Sequence, residues 1–490
     1  MTKQQIKYLS LFSGIVLSLL LYIINPFQVP EQAARVLAVA ALMITWWITE
    51  ALPMPVVALL PLILFPLLEI NSIKETSKLY GNEVIFLFMG GFMLGLAIEK
   101  WNLHRRIALT IVNVTGTSSN RIVLGFILAT GLLSMWLSNT ATTMMMFPIA
   151  MSVIAVMRDN SDEKGNYTNF NLCLMLAIAY ASNFGGISTI IGTPPNVQFV
   201  NYFEKKYGNI DFTDWMLVCT PLALLLMFSL YLITTRLLFP SHIQKSEAAH
   251  KHIKSELGKL GKLSVSERRV LYIFCSTACL WIFKDIINNS QSWFRLDDNM
   301  IAIMGAVALF ICPAGKKSHL VKTSEKEEEN TPTLLEWTDT KEMAWGILLL
   351  FGGGIALADA LEKAGLIQQL GAWMGQYAGS GIILVLTVVI ISIFISEVMS
   401  NVAQVIVFAP VVCSLAEHVG MNPLLLGLPM TLAASCASML PMGTPPNAIA
   451  FASGHIRLKQ MVKAGLVMNL VAVVLITLFS WYIVPLIMKL

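Results

Sequence analysis

Ser138-Asn139-Thr140-Ala141 and Gly192-Thr193-Pro194-Pro195-Asn196 are two short polar motifs in otherwise apolar sequence, and the pair occurs a second time. The second copies read Ser400-Asn401-Val402-Ala403 and Gly443-Thr444-Pro445-Pro446-Asn447. Each Ser-Asn motif carries hydroxyl and amide side chains, and each Gly-Thr-Pro-Pro-Asn motif carries residues that break a helix. Broken segments at corresponding places in two halves of a membrane protein are the pattern that marks a solute-binding site.

The composition predicts an integral membrane protein. Of 490 residues, 56% are hydrophobic and only 13% are charged, and the mean hydropathy is +0.70. Polar residues are too few to cover a soluble domain of this length. The formal net charge of +4 is modest and gives no reason to expect a nucleic-acid partner. We therefore expect the chain to lie in a lipid bilayer and to bind no nucleic acid.

Apolar segments long enough to span a bilayer recur along the whole chain. A spanning helix needs about 20 apolar residues, and on this basis we predict an all-α polytopic protein with about eleven spans. The predicted spans lie at about residues 8–25, 32–49, 53–69, 83–99, 170–203, 215–238, 268–287, 298–313, 342–362, 423–454 and 461–488. Two further apolar segments, at about 122–157 and 380–417, carry the Ser-Asn motifs near their middle.

These two segments are predicted to be re-entrant hairpins rather than single kinked crossings. Non-helical backbone at membrane depth is tolerated where it is buried in protein or lines a cavity, so we expect each polar turn to face a cavity. If the hairpins return to their own side and the N-terminus is cytoplasmic, most of the 33 Lys and Arg residues fall on the cytoplasmic side. The charged stretch 241–267 is then predicted to be a solvated cytoplasmic loop.

The motifs belong to a longer internal repeat. The recurring residues are Phe88, Gly90, Gly91, Glu99, Lys100 and Leu103, which return as Phe351, Gly353, Gly354, Glu362, Lys363 and Leu366. The shift is 263 residues for the phenylalanines (351 − 88) and 262 for the Ser-Asn motifs (400 − 138). If each repeat has an odd number of spans, the second is inverted in the bilayer relative to the first. Inverted repeats with broken helices are typical of secondary transporters, whose site lies between the repeats near the bilayer midplane.

The four motifs supply groups that suit a small anion together with small cations. Ser, Thr and Asn side chains offer donors to an anion and oxygens to a cation without the cost of burying a full charge. Helix N-termini at the breaks favour anions, and unwound carbonyls suit Na⁺. A single copy could equally form interhelical hydrogen bonds, but the ordered duplication favours binding. Glu397 is predicted either to couple to protons or a cation, or to lie at the solvated mouth of its hairpin.

The chain resembles the divalent anion/sodium symporter family, which transports di- and tricarboxylates and sulfate. Besides the four motifs, the resemblance rests on Trp46-Trp47-Ile48-Thr49-Glu50-Ala51-Leu52-Pro53 and on Trp345-Gly346-Ile347-Leu348-Leu349-Leu350-Phe351-Gly352-Gly353-Gly354. It covers nearly the whole chain. It implies a homodimer in the bacterial inner (plasma) membrane, in which the transport part of each protomer slides along a scaffold part as an elevator.

The resemblance also implies one anion site and two or more Na⁺ sites, with no organic cofactor. A small dicarboxylate would contact Ser138, Asn139, Thr140, Thr193, Pro194, Ser400, Asn401, Val402, Thr444 and Pro445. One Na⁺ would be held by Ser134, Ser138, Asn139 and Gly192, and a second by Ser396, Met399, Asn401 and Gly443. Val402 departs from the family pattern, in which Thr follows the second Ser-Asn pair, so one hydroxyl is missing at this end of the anion site.

The same resemblance implies that the chain is divided into a scaffold part and a transport part. Residues 1–121 and 268–379 would form the scaffold part and residues 122–240 and 380–490 the transport part, with the loop 241–267 between them. The predicted function is Na⁺-coupled transport of a succinate-, fumarate- or malate-like dicarboxylate. Cation-independent dicarboxylate exchange and symport of sulfate or a tricarboxylate are the alternatives. An enzyme is not predicted, because no nucleophile with its base, metal-ligand pair or phosphate-binding glycine loop is recognisable.

Overall fold

The computed structural model describes residues 3–116, 118–159, 164–241, 247–315, 332–376, 379 and 381–488. These residues are almost entirely helical, and within them the only β-structure is an isolated bridge between Pro313 and Thr333. The predicted all-α class is confirmed. Seven helices of the described part are long and apolar enough to cross a membrane, and five shorter apolar helices accompany them. The count of about eleven spans stays a prediction.

Five helices precede the internal repeat. They are α1 (Lys3–Ile24), α2 (Glu31–Ile48), α3 (Met54–Val57), α4 (Leu60–Leu67) and α5 (Ile73–Leu79). The segment predicted as one span at 53–69 is divided into α3 and α4. Pro61, in the first turn of α4, has no N–H to donate back to α3, which accounts for the division.

The internal repeat is visible as two matching series of helices. The first series is α6 (Glu83–Lys100), α7 (Leu103–Thr115), α8 (Ser119–Ser134), α9 (Asn139–Asp159), α10 (Lys164–Gly186), α11 (Pro194–Tyr207) and α12 (Phe212–Leu232). Between the series lie α13 (Glu247–Lys259), α14 (Val265–Ser290) and α15 (Asp298–Ile311). The second series is α16 (Trp345–Lys363), α17 (Leu366–Gly375), α18 (Ile382–Ile395), α19 (Asn401–His418), α20 (Leu424–Ala434), α21 (Pro445–Ala452) and α22 (Leu458–Leu478), followed by α23 (Val484–Ile487). Both series end in a π-helical turn, at Ile233–Leu238 and Phe479–Ile483.

The two series interlock at the broken helices. α10 packs against α8 and α9, and α20 packs against α18 and α19 in the same way. The half helix after each break packs on the other series, because α11 lies against α19 and α20, and α21 lies against α9 and α10. This exchange sets the half helix that follows each Gly-Thr-Pro-Pro-Asn motif against a hairpin arm and the broken helix of the other half.

Repeated glycines permit close helix packing in both halves. A Cβ on Gly90 of α6 would lie 2.6 Å from the carbonyl carbon of Ala302 in α15. A Cβ on Gly353 of α16 would lie 2.3 Å from the carbonyl oxygen of Ala58, which directly follows α3. Small residues let helix backbones approach one another in membranes. The recurring Gly90 and Gly353 are therefore each required by a close contact, with α15 in one case and with the end of α3 in the other.

The stretch 241–267 is not simply a loop, since it contains α13. This helix packs against α7 and α9 and buries Ile253, which is 2% exposed. Arg105 of α7 forms an ion pair with Glu256 at 2.6 Å. The ammonium of Lys259, with Arg105, holds the pKa of the Glu256 carboxyl below its ordinary value. The helix was not predicted from the composition, because only one narrow face of it is apolar and packs against the protein, while the other faces are charged.

Candidate functional site

The first hairpin turn, between α8 and α9, brings hydroxyl, amide and carbonyl oxygens together. Ser138 precedes α9, and its Oγ accepts a hydrogen bond from the Ala141 N–H at 3.2 Å. Ser134, at the end of α8, places its Oγ 2.8 Å from Asn139 Oδ1 and 2.7 Å from the carbonyl oxygen of Ser182 in α10. A hydroxyl has one proton, so it can donate to only one of these oxygens at a time.

The second hairpin turn, between α18 and α19, repeats this arrangement. Ser396 Oγ lies 2.7 Å from Asn401 Oδ1 and 2.5 Å from the carbonyl oxygen of Ala434 in α20. Ser396 corresponds to Ser134 by the shift of 262 residues that relates the motifs (396 − 134). Both turns therefore hold three neutral oxygens within hydrogen-bond distance. Such oxygens suit a hard cation like Na⁺.

Both helices that were predicted to break do so at the Gly-Thr-Pro-Pro-Asn motif. Residues 187–193 separate α10 from α11, and residues 435–444 separate α20 from α21. Thr193 and Thr444 precede the two half helices in nearly the same extended conformation, with φ/ψ of −147°/142° and −144°/150°. The proline after each threonine has a preset φ and no N–H that would be left unsatisfied, so it favours the start of a helix there.

The asparagine that ends each of these motifs stabilises the unwound linker by donating hydrogen bonds to backbone carbonyls. Asn196 Nδ2 donates to the Thr189 carbonyl at 2.8 Å, and Asn447 Nδ2 donates to the Leu440 carbonyl at 3.2 Å. The two acceptors are related by a shift of 251 residues (440 − 189), and each amide also donates to a second carbonyl, that of Gly186 at the end of α10 or that of Ala437 in the second linker. Neither amide was predicted as a site residue. Their place in a duplicated motif is the signal that could have identified them.

Glycine is required where the first linker meets the first hairpin turn. A Cβ on Gly186 would lie 2.2 Å from Asn139 Oδ1, and a Cβ on Gly192 would lie 2.4 Å from the Gly186 carbonyl oxygen. Both positions therefore exclude a side chain. The close approach places Gly192, a predicted Na⁺ ligand, in the same polar region as Asn139.

One side chain of α10, Asn183, links the first hairpin turn to the second broken helix. Its Nδ2 donates to Thr444 Oγ1 at 3.0 Å, and its Oδ1 lies 3.5 Å from Asn139 Nδ2. Asn183 is fully buried. The sequence did not mark it, because it belongs to neither motif. Only the packing of α21 against α10 reveals its position.

Glu397 anchors the linker of the second broken helix. Its carboxylate, in a residue only 3% exposed, accepts hydrogen bonds from the N–H groups of residues 438–440 at 2.8–2.9 Å and from Asn469 Nδ2 at 2.7 Å. The prediction that it could lie at a solvated hairpin mouth is therefore wrong. The corresponding residue of the first half is Met135 (397 − 262), whose carbonyl accepts a hydrogen bond from the Thr189 hydroxyl at 2.5 Å. A buried carboxylate thus holds the second linker, whereas a hydrogen bond from a hydroxyl to a backbone carbonyl holds the first.

The predicted site residues differ in exposure. Those that are buried are Ser134, Gly192, Thr193, Ser396, Met399, Gly443 and Thr444. Those that are half-buried are Ser138, Asn139, Thr140, Pro194, Ser400, Asn401 and Val402, and Pro445 is exposed. In the described part of the chain no hydrogen bond joins one Ser-Asn motif directly to the other. The hydrogen bonds that reach from the first half to the second Gly-Thr-Pro-Pro-Asn motif run instead from Asn183 to Thr444 and Asn447.

Apart from the Glu397 carboxylate, which lies against Gly443, the site is built from neutral groups and helix ends. The hydrogen-bond partners of the predicted site residues in the described structure are uncharged. The described residues also include no cluster of His, Cys, Asp and Glu that could hold a metal ion. Four helices, α9, α11, α19 and α21, begin at the motifs, and each N-terminus carries a partial positive charge. The region can therefore hold an anion through N–H and hydroxyl donors and Na⁺ through neutral oxygens.

Comparison with known families and proteins gives matches over almost the whole chain. A family model described as the transmembrane region of sodium:sulfate symporters matches residues 3–489. The sodium-dependent dicarboxylate transporter SdcS of Staphylococcus saprophyticus is 38% identical over 476 residues, which cover 96% of this chain and 89% of that protein. The protein of the same name from Staphylococcus aureus strain MRSA252 is 39% identical over 486 residues, which cover 97% and 91%.

Two solved structures are similar in fold. The YdaH transporter of Alcanivorax borkumensis gives a TM-score of 0.53 at 15% identity, with 82% of this chain and 84% of that chain covered. MtrF of Neisseria gonorrhoeae, an example of a class of antimetabolite efflux pumps, gives a TM-score of 0.52 at 11% identity, with 83% of each chain covered. At these identities the likeness concerns the fold alone.

Proposed function

Because the chain belongs to the sodium:sulfate symporter family, we propose that it is a Na⁺-coupled secondary transporter of small dicarboxylates such as succinate, fumarate or malate. Membership rests on the match over residues 3–489 and on the relatives of 38–39% identity. It confirms the resemblance found in the sequence and the prediction of a transporter rather than an enzyme. The names of those relatives, sodium-dependent dicarboxylate transporters, support Na⁺ and a dicarboxylate as the transported pair.

The observation that carries the proposal is the duplicated set of oxygens at the two hairpin turns. Each turn places a serine hydroxyl between an asparagine amide oxygen and a carbonyl oxygen of the neighbouring broken helix. We assign one Na⁺ to Ser134, Ser138, Asn139 and the Gly192 region, and a second to Ser396, Met399, Asn401 and the Gly443 region. Neutral oxygens and unwound carbonyls are the ligands that Na⁺ uses in secondary transporters.

The dicarboxylate is proposed to lie between the two turns. One carboxylate would be bound by Ser138, Asn139 and Thr140 and the other by Ser400 and Asn401, with walls formed by Thr193, Pro194, Thr444 and Pro445. Val402 presents methyl groups where Thr140 presents a hydroxyl, so the two ends of the site are unequal. The missing hydrogen bond would contribute about 1 kcal/mol if neutral and up to about 3 kcal/mol if made to a carboxylate.

We also propose an inverted repeat and an elevator mechanism, which the matching helix series and the exchanged half helices support. The scaffold part is assigned to residues 1–121 and 268–379 and the transport part to residues 122–240 and 380–490, in a homodimer with cytoplasmic N-termini. Among the described residues three ion pairs cross this proposed boundary: Lys206 with Glu362, Lys284 with Asp211, and Lys205 near the end of α11 with Asp359 in α16. Sliding of the transport part would separate these pairs.

Na⁺ is proposed to bind first and to promote binding of the anion. A cation held by the oxygens of Asn139 and Asn401 fixes both amides, so their N–H groups face the carboxylates of the substrate. This raises the fraction of protein that is competent to bind the anion. The effect is reciprocal, because bound anion must raise the affinity for Na⁺ by the same factor.

The proposal is tested by uptake of labelled succinate into proteoliposomes that contain the purified protein. We expect the initial rate to rise steeply with an inward Na⁺ gradient and to stay low when K⁺ replaces Na⁺. Fumarate and malate should compete with succinate. Uptake that is indifferent to Na⁺ but driven by dicarboxylate inside the vesicles would identify an exchanger instead, and competition by sulfate or citrate alone would assign a different anion.

A further inference from the structure

We propose that Asn183 is a positioning residue that couples the Na⁺ site at Asn139 to the anion site at Thr444, an inference that rests on the proposed function. Asn183 is fully buried in α10 and belongs to none of the duplicated motifs. Through one amide it reaches residues assigned to both ligands. It is not itself assigned to contact either ligand.

The Asn183 amide makes contacts at both of its ends. Its Nδ2 donates to Thr444 Oγ1 at 3.0 Å and, at 3.5 Å, to Asn447 Oδ1, and its Oδ1 lies 3.5 Å from Asn139 Nδ2. Asn139 Oδ1 lies in turn 2.8 Å from Ser134 Oγ. A chain of polar contacts therefore runs from the Na⁺ ligands of the first hairpin to the residue that starts α21. These elements come from opposite halves of the sequence.

Asn183 also fixes the direction in which Thr444 can donate. The hydroxyl oxygen of Thr444 accepts from Asn183 Nδ2 and, at 3.4 Å, from the N–H of Asn447. With two donors directed at its oxygen, the hydroxyl points its own proton away from them. No acceptor for this proton is found among the residues that the structure describes, so the proton is available to a carboxylate of the substrate. Loss of the Asn183 donor frees the hydroxyl to rotate.

Within the described structure this contact is made in one half only. Asn183 follows Ser182 and Ser435 follows Ala434, and these two preceding residues supply the carbonyls that approach the hairpin serines. Ser435 therefore holds the corresponding place in the second half. Its hydroxyl is buried and has no hydrogen-bond partner in the described part. Na⁺ at the first hairpin is thereby coupled to the anion more strongly than Na⁺ at the second.

The test is the factor by which saturating Na⁺ lowers the KM for succinate, measured with the full-length protein in proteoliposomes. Asn183→Ala is expected to reduce this factor by about 5-fold, the change that follows from loss of the one short neutral hydrogen bond, to Thr444. Ser435→Ala, its matched control, should leave the factor unchanged, because it removes a hydroxyl without a partner. Adding Thr444→Val to Asn183→Ala should reduce the factor little further, since both substitutions break the same contact.

If Asn183 has a merely structural role, Asn183→Ala lowers the maximal rate or the yield of folded protein. The factor by which Na⁺ lowers the KM for succinate then stays unchanged. That result would overturn the inference. If Asn183→Ala does not fold, Asn183→Leu keeps about the size of the side chain, removes the N–H donor without adding a charge and should show the same fall. A wild-type protein without any Na⁺ effect would overturn the proposed function and this inference together, whereas a wild-type effect that survives both Asn183 variants overturns the inference alone.

Discussion

Replacing Asn139 or Asn401 by alanine is expected to lower Na⁺-driven succinate uptake at least about 100-fold, since each lost hydrogen bond to a charged group costs about 1.5–3 kcal/mol. Each amide is proposed to serve Na⁺ through its oxygen and a carboxylate through its N–H. If loss of the Na⁺ ligand costs as much as loss of the hydrogen bond to the carboxylate, the two contacts amount to about 3 kcal/mol, and each 1.4 kcal/mol corresponds to about a tenfold change. The measurement is the initial rate of labelled uptake at saturating Na⁺, normalised to the amount of folded protein.

Asn169→Ala is the matched control for these two variants. Asn169 lies on α10, and its Nδ2 donates to the carbonyl of Pro240 at 3.0 Å rather than to either hairpin turn. We expect wild-type uptake from this variant. Size-exclusion profiles and thermal unfolding should be alike for all three variants, so that any difference in uptake rate can be attributed to the binding site rather than to misfolding. Wild-type activity in Asn139→Ala and Asn401→Ala would refute the assignment, and a loss in only one of them would refute a site built from both halves.

Joining residue 205 to residue 359 is expected to stop transport completely. Lys205 of α11 and Asp359 of α16 form an ion pair across the proposed boundary between the transport and scaffold parts. In a variant whose seven native cysteines are replaced, cysteines at these two positions can be linked with a short bifunctional thiol reagent. If transport requires the two helices to slide apart, the linked protein cannot turn over. It should still bind succinate in the presence of Na⁺, and reductive cleavage of the linker should restore uptake.

A matched pair of cysteines within the scaffold controls for the chemistry. Glu31 and Arg35 form an ion pair at 2.7 Å within α2, so a link between them crosses no proposed boundary. This linked control should transport at the rate of the unlinked protein. If the protein linked between positions 205 and 359 also transports at that rate, α11 and α16 do not separate during transport, and both the elevator and this division of the chain are contradicted.

The local features of the site could be read from the sequence because they depend on a few neighbouring residues. A proline has no N–H, so Pro194 and Pro445 fix the places where the half helices begin. Ser138 caps the start of α9, which sets where the second arm of the first hairpin begins. Duplication of these strings made the interpretation specific, since one copy alone is equally compatible with helix packing.

Contacts between distant segments could not be predicted in this way. Asn183 reaches Thr444 only because α21 packs on α10 from the other half of the chain. Glu397 was noticed as a charge, but the four donors that surround it come from the second linker and from α22. The pairing of Lys205 with Asp359 likewise depends on how α11 lies against α16. Tertiary packing decides all three, and no local pattern encodes it.

An electron cryomicroscopy map of the protein prepared with Na⁺ and succinate tests most directly whether the two halves of the chain enclose one anion. We expect density for a single succinate between Ser138-Asn139-Thr140 and Ser400-Asn401, with separate cation density beside Asn139 and beside Asn401. The Thr444 hydroxyl should face the bound carboxylate. Succinate held by one motif alone, or bound away from both hairpin turns, would contradict this arrangement.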